Sequence, residues 1–66
     1  MHWQQVRTDW YKILKRFESR WDRLTEADLR AIGGKREKLL DRLKKLYSMS
    51  EDEAEKQIED FIRKLN

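Results

Sequence analysis

Proline is absent, and the only two glycines stand side by side, at Gly33 and Gly34, in the middle of 66 residues. Such a chain has one firm backbone break and little to stop helices on either side of it. The spacing of the apolar residues then decides what forms. Trp3, Val6, Trp10, Leu14, Phe17 and Trp21 recur at steps of three and four. At about 100° per residue they share one stripe of a helix. A strand, with its period of two, would scatter them over both faces. Ile13 widens the stripe, and Lys12, Lys15, Arg16, Glu18, Ser19, Arg20 and Asp22 cover most of the rest. The pattern predicts a first helix from about residue 4 to about residue 22. Trp3 falls in a fraying end, and residues 1–8 are expected to be loosely held.

Two further starts are written in capping chemistry. Thr25 is a good N-cap, with Asp28 at the third helical position and Leu24 and Leu29 spaced as a hydrophobic staple. A short second helix should end near Ile32, where the glycines supply a left-handed cap. A third helix is expected from about Lys35 to Tyr47, burying Leu39, Leu43 and Leu46, with Leu40 and Tyr47 beside them. Ser50 with Glu53 reads as a full capping box for a fourth helix. Its stripe is Ala54, Ile58, Phe61, Ile62 and Leu65. Glu51, Asp52 and Glu53 at its start and Arg63 and Lys64 at its end suit the helix dipole. A weak repeat supports the division. Ile13, Leu14, Phe17 and Trp21 match Leu39, Leu40, Leu43 and Tyr47 at 26 positions, and Leu24, Thr25 and Asp28 match Met49, Ser50 and Glu53 at 25.

Charged residues make up 44% of the chain, which raises the question of disorder. Leu, Ile, Val and Phe number 8, 4, 1 and 2, just above the disordered range, and three Trp and two Tyr add large apolar area. The expectation is one folded all-α domain over residues 1–66, with four helices packed as two crossed hairpins. The expected core is Trp10, Leu14, Phe17, Trp21, Leu24, Leu29, Ile32, Leu39, Leu43, Leu46, Tyr47, Ala54, Ile58, Phe61 and Ile62. No apolar run approaches the ~20 residues of a membrane span and no signal-peptide core follows the start, so a cytoplasmic location is the default.

A family pattern runs through these residues. Trp10, then W-x-x-L-T-x-x-D-L-x-x-I-x-G-K-R-x-x-L from Trp21 to Leu39, then Tyr47 and A-E-K-Q-I from Ala54 to Ile58 resemble the CsbD-like family of small bacterial stress-response proteins. The likeness covers about residues 10 to 62. It implies a compact domain of two crossed helical hairpins, a bacterial origin and a role in a general stress response, and it supplies no catalytic residue. Family members often carry glycine where this chain has Asp22 and Ser48, and one is common at Lys15. Gly34 corresponds to the family glycine and Gly33 is additional, which makes the break at 33–34 looser than the family pattern.

Chemistry has few parts to work with. Cysteine is absent and His2 is the only histidine, so there is no thiol nucleophile and no His-rich metal site. Carboxylate pairs such as Glu51 with Glu55 read as solvated helix surface. The chain is expected to be non-enzymatic, with no cofactor and no metal. Gly33-Gly34-Lys35-Arg36 is no Walker loop, which needs a preceding strand, four residues between its glycines and a hydroxyl after the lysine. It reads as a helix–helix corner with solvated cations.

Charge is uneven along the chain. Residues 35–47 hold six Lys or Arg against Glu37 and Asp41, and residues 1–24 hold six against Asp9, Glu18 and Asp22. Residues 48–66 hold three against six acids. Gly34, Lys35, Arg36, Lys38, Arg42 and Lys45 are therefore candidate contacts for an anion or a nucleic-acid backbone. The favoured alternative is that the basic third helix lies beside the acidic fourth and their fields cancel. Membrane binding through the Trp-rich first helix is a weaker reading, because the other stripes need that helix as a partner. Trp3, if exposed, offers a contact for a partner or a second copy. The expected state is a monomer or weak homo-oligomer with an unidentified protein partner.

Overall fold

The computed structural model describes residues 2–65, and every regular element among them is helical. The order is α1 (Trp3–Thr8), α2 (Trp10–Arg20), α3 (Glu26–Ile32), α4 (Arg36–Tyr47) and α5 (Glu51–Lys64). The radius of gyration is 10.7 Å, against about 10.8 Å for a folded chain of this length. High charge therefore does not open the structure.

Five helices replace the expected four because the first is divided at Asp9, which serves as C-cap of α1 and N-cap of α2 with φ −99° and ψ 18°. The Thr8 hydroxyl donates back to the Gln4 carbonyl at 3.0 Å, a side-chain bond that bends helices. The Asp9 carbonyl still accepts from the N–H groups of Lys12 and Ile13, at 2.9 and 3.1 Å, so α2 resumes at once. Trp3 begins a helix, and Val6, absent from the expected core, is fully buried.

The Thr25 signal behaves as read. Asp28 N–H donates to Thr25 Oγ1 at 3.1 Å, and Thr25 N–H donates to Asp28 Oδ2 at 3.3 Å. Leu24 and Leu29 are buried on either side. At α5 the Ser50 hydroxyl accepts from Glu53 N–H at 3.2 Å. The reciprocal bond is not formed there, so that start is a simple N-cap rather than a full box. Between α4 and α5, Ser48 takes the left-handed conformation with φ 54°, as C-cap of α4. This is a position where the family pattern carries glycine.

The most extensive contacts between helices follow chain order, with α1 on α2, α2 on α3, α3 on α4 and α4 on α5. An aromatic cluster closes the end of the chain onto its beginning. Phe61 of α5 lies 4.7 Å from Phe17 and 5.1 Å from Trp21 between ring centroids, and Trp10 lies 4.6 Å from Phe17. These distances suit tilted aromatic packing. Leu46, Tyr47 and Phe61 are partly buried against the core rather than enclosed in it. Among the described residues no polar or charged side chain is buried.

Each tryptophan also ties the first two helices to a different part of the chain. Trp10 Nε1 donates to the Leu29 carbonyl at 2.9 Å, Trp21 Nε1 to Gln57 Oε1 at 3.1 Å, and Trp3 Nε1 to the Gly34 carbonyl at 3.0 Å. Buried indoles need such partners, since an unpaired N–H in the interior is costly. A fourth tie joins the α2–α3 turn to the end of α4. Tyr47 Oη accepts from Arg23 N–H at 2.9 Å and donates to Asp22 at 3.3 Å, while Arg23 Nη1 donates to the Leu46 carbonyl at 3.0 Å.

Candidate functional site

The double glycine forms the corner between α3 and α4, and it is tightly held. Gly33 caps α3 with φ 57°, donating its N–H to the Leu29 carbonyl at 3.1 Å. Gly34 follows with φ 83° and is buried. A Cβ on Gly34 would meet Arg7 Cγ at 2.8 Å and Arg7 Cα at 3.3 Å. Gly33 is exposed, and Gly34 is enclosed against Arg7. Gly34 is the point where α1 presses on the corner, with the Trp3 indole closing over its carbonyl. Trp3 is accordingly half-buried against the core and is not a free aromatic.

The candidate cations separate into two groups. Arg42 Nη1 reaches Asp28 Oδ1 at 2.9 Å, Lys45 reaches Asp41 at 3.1 Å, and Arg36 lies 3.9 Å from Glu59. Lys35 and Lys38 form no ion pair with a described carboxylate. Lys44 adds a further link between α4 and α5, 3.8 Å from Glu51. The basic α4 thus lies beside acids of α3 and α5.

Around Lys35 and Lys38 an open depression is lined by Trp3, Arg7, Gly34, Arg36 and Glu37. Arg7 belongs to this cluster and was not among the sequence candidates. Only the fold brings residue 7 beside residue 34, and nothing local in the sequence marks it. No side chain caps the start of α4 there. Among the described residues, no three His, Cys, Asp or Glu side chains gather as metal ligands. The apolar stripe of the first two helices faces the core, with Trp10 and Trp21 each 1% exposed. None of the described helices is long and apolar enough to cross a membrane.

Comparison with known proteins places the chain. It is 38% identical over 61 residues to the UPF0337 protein pc0632 of Protochlamydia amoebophila, covering 92% of each chain. The chain belongs to the UPF0337 family, the CsbD-like proteins. It is also 31% identical over 61 residues to the UPF0337 protein NE2439 of Nitrosomonas europaea, covering 92% of this chain and 65% of that one. To the UPF0337 protein YjbJ of Escherichia coli it is 30% identical over 53 residues, 80% of this chain and 77% of that one. No family model matches the chain, and no solved structure matches it.

In this UPF0337 chain the ion pairs are confined to one part of the molecule. All six formed among the described residues join partners between Glu26 and Lys64. Arg7, Lys12, Lys15, Arg16, Arg20 and Arg23 take part in none of them.

Proposed function

We propose that this UPF0337 chain is a non-enzymatic bacterial stress-response protein, working in the cytoplasm as an interaction or protective module. The observation that carries the reading is the division of the molecule into a wholly apolar interior and a charged exterior. Among the described residues no ionisable side chain is buried, whereas catalytic groups are commonly desolvated or held against a specific partner inside a cleft. The surface depressions are open and lined mainly by long charged side chains. The likeness to the CsbD-like pattern supports the stress role. The same likeness, with the chain-order packing of the helices, supports an arrangement as two crossed hairpins in a monomer or weak homo-oligomer.

The test is made in bacteria lacking their own UPF0337 protein. Survival after osmotic shock or starvation should fall, and expression of this chain should restore it. Unchanged survival of the deletion strain, or turnover by the purified protein across a substrate panel, would count against the reading.

A further inference from the structure

Four of the cations without ion pairs share one surface. On α2 the core stripe is Trp10, Leu14 and Phe17. At about 100° per residue, Lys12, Lys15, Arg16, Ser19 and Arg20 fall within an arc about 140° wide on the opposite side. All five are exposed, and Tyr11, about 40° beyond the arc, is 68% exposed, the one large hydrophobic side chain left so among the described residues. Glu18 lies outside the arc beside the core stripe and is half-buried. Asp22, beyond the helix, accepts a hydrogen bond from Tyr47, and Asp9 lies at the α1–α2 junction. Arg20 rests its guanidinium 5.2 Å from the Trp21 ring centroid. The arc therefore holds four cations and a hydroxyl, while Tyr11 flanks it on the side of Glu18 and Asp9 borders it at the start of α2.

We infer that this face of α2 binds the backbone of a single-stranded nucleic acid. The inference rests on the interaction-module reading and names its partner. Charge complementarity selects a polyanion, because cations without intramolecular partners are the ones free to replace condensed counterions along a phosphate chain. The exposed Tyr11 selects a single strand, since an unstacked base can lie on its ring whatever its sequence. A lipid surface fits less well. An interfacial helix buries its apolar face among acyl chains, and here that face is committed to the core. The corner at the start of α4 also fits less well: Arg7, Lys35 and Lys38 have no ion pair there, but Glu37 lies among them, and Arg36, Arg42 and Lys45 already face carboxylates.

The experiment is an anisotropy titration of a labelled oligothymidylate of about 15 nucleotides with the full chain. With four phosphate contacts on a single strand, affinity should fall about 50-fold between 50 and 200 mM salt. The triple change Lys12→Glu, Lys15→Glu, Arg16→Glu should weaken binding at least about tenfold and flatten the salt dependence. Tyr11→Ala should weaken it at least about fivefold, and the Lys35→Glu, Lys38→Glu variant should bind as the parent does. These positions are exposed, and an unchanged thermal transition verifies that each variant folds. Loss of binding in the α4 variant but not in the α2 variant would overturn the assignment. So would binding to phosphatidylglycerol vesicles without binding to the oligonucleotide. If neither is bound while the chain still rescues the deletion strain, this inference fails and the interaction-module reading stands.

Discussion

The indole N–H of Trp3 donates to the carbonyl of Gly34 at 3.0 Å, joining residues 31 positions apart. The bond clasps α1 over the corner that divides the chain. Trp3→Phe keeps an aromatic ring on the core and removes the donor. The expected cost is about 1 kcal/mol, a fall in Tm of about 4–8 °C for a domain this small. Calorimetry on the two proteins measures it. An unchanged Tm would mean that α1 is held by its apolar contacts alone.

Gly33 and Gly34 should respond differently to the same substitution. At Gly33 a Cβ meets only the Arg30 carbonyl, at 3.7 Å, so Gly33→Ala carries the cost of a left-handed conformation, about 1–2 kcal/mol. At Gly34 the same kind of cost is joined by collision with the Arg7 side chain and backbone. Gly34→Ala should therefore lose about 2–4 kcal/mol, most of what a domain of this size has. Equal losses in urea unfolding would show that Arg7 yields freely.

Ser48 is the one described non-glycine residue with positive φ. Its left-handed conformation is strained for an L-residue and natural for glycine. Ser48→Gly should raise stability by about 0.5–1 kcal/mol, the relieved strain being partly offset by the greater freedom of glycine in the unfolded chain. The readout is a higher urea midpoint at unchanged slope. A lower midpoint would mean that the serine makes up for its backbone geometry.

Helical periodicity made most of this fold legible. The stripe from Val6 to Trp21, the Thr25 cap and the stripe of α5 are local patterns, set by the geometry of a single helix. The break at Asp9 was not legible, because the Thr8 hydroxyl bond beside it is one that many helices tolerate, as α2 does at Ser19. The place of Trp3 was hidden for another reason. Its partner is a backbone carbonyl 31 residues away, and no spacing rule reaches that far. The candidate site shows the same limit. Sequence located the cations, and i, i+4 spacing sets the Lys45–Asp41 and Lys64–Asp60 pairs, but which of the other candidates meet acids depends on how α3, α4 and α5 pack. Arg42 finds Asp28 14 residues back, and Glu59 faces Arg36 across helices in addition to having Arg63 at the i, i+4 spacing.

Asp28 joins two interactions whose shares can be separated. One oxygen accepts from Thr25 N–H and from the Thr25 hydroxyl at 3.3 and 3.1 Å, and the other accepts from Arg42 at 2.9 Å. The Arg42 side chain is 42% exposed and that of Asp28 23%, so solvent screens the pair and its share should be about 0.5 kcal/mol. Reciprocal capping at the start of α3 should carry more, about 1 kcal/mol. Asp28→Ala is then expected to cost about 1.5 kcal/mol and Arg42→Met about 0.5 kcal/mol. Their coupling in a double-mutant cycle should stay under about 1 kcal/mol. Salt distinguishes the two shares, because the Debye length falls to about 3 Å at 1 M. Most of the Asp28→Ala loss should survive at that ionic strength, since a hydrogen-bonded cap is local, while the Arg42→Met loss should vanish. If high salt erases the Asp28→Ala loss instead, the ion pair and not the cap holds the start of α3.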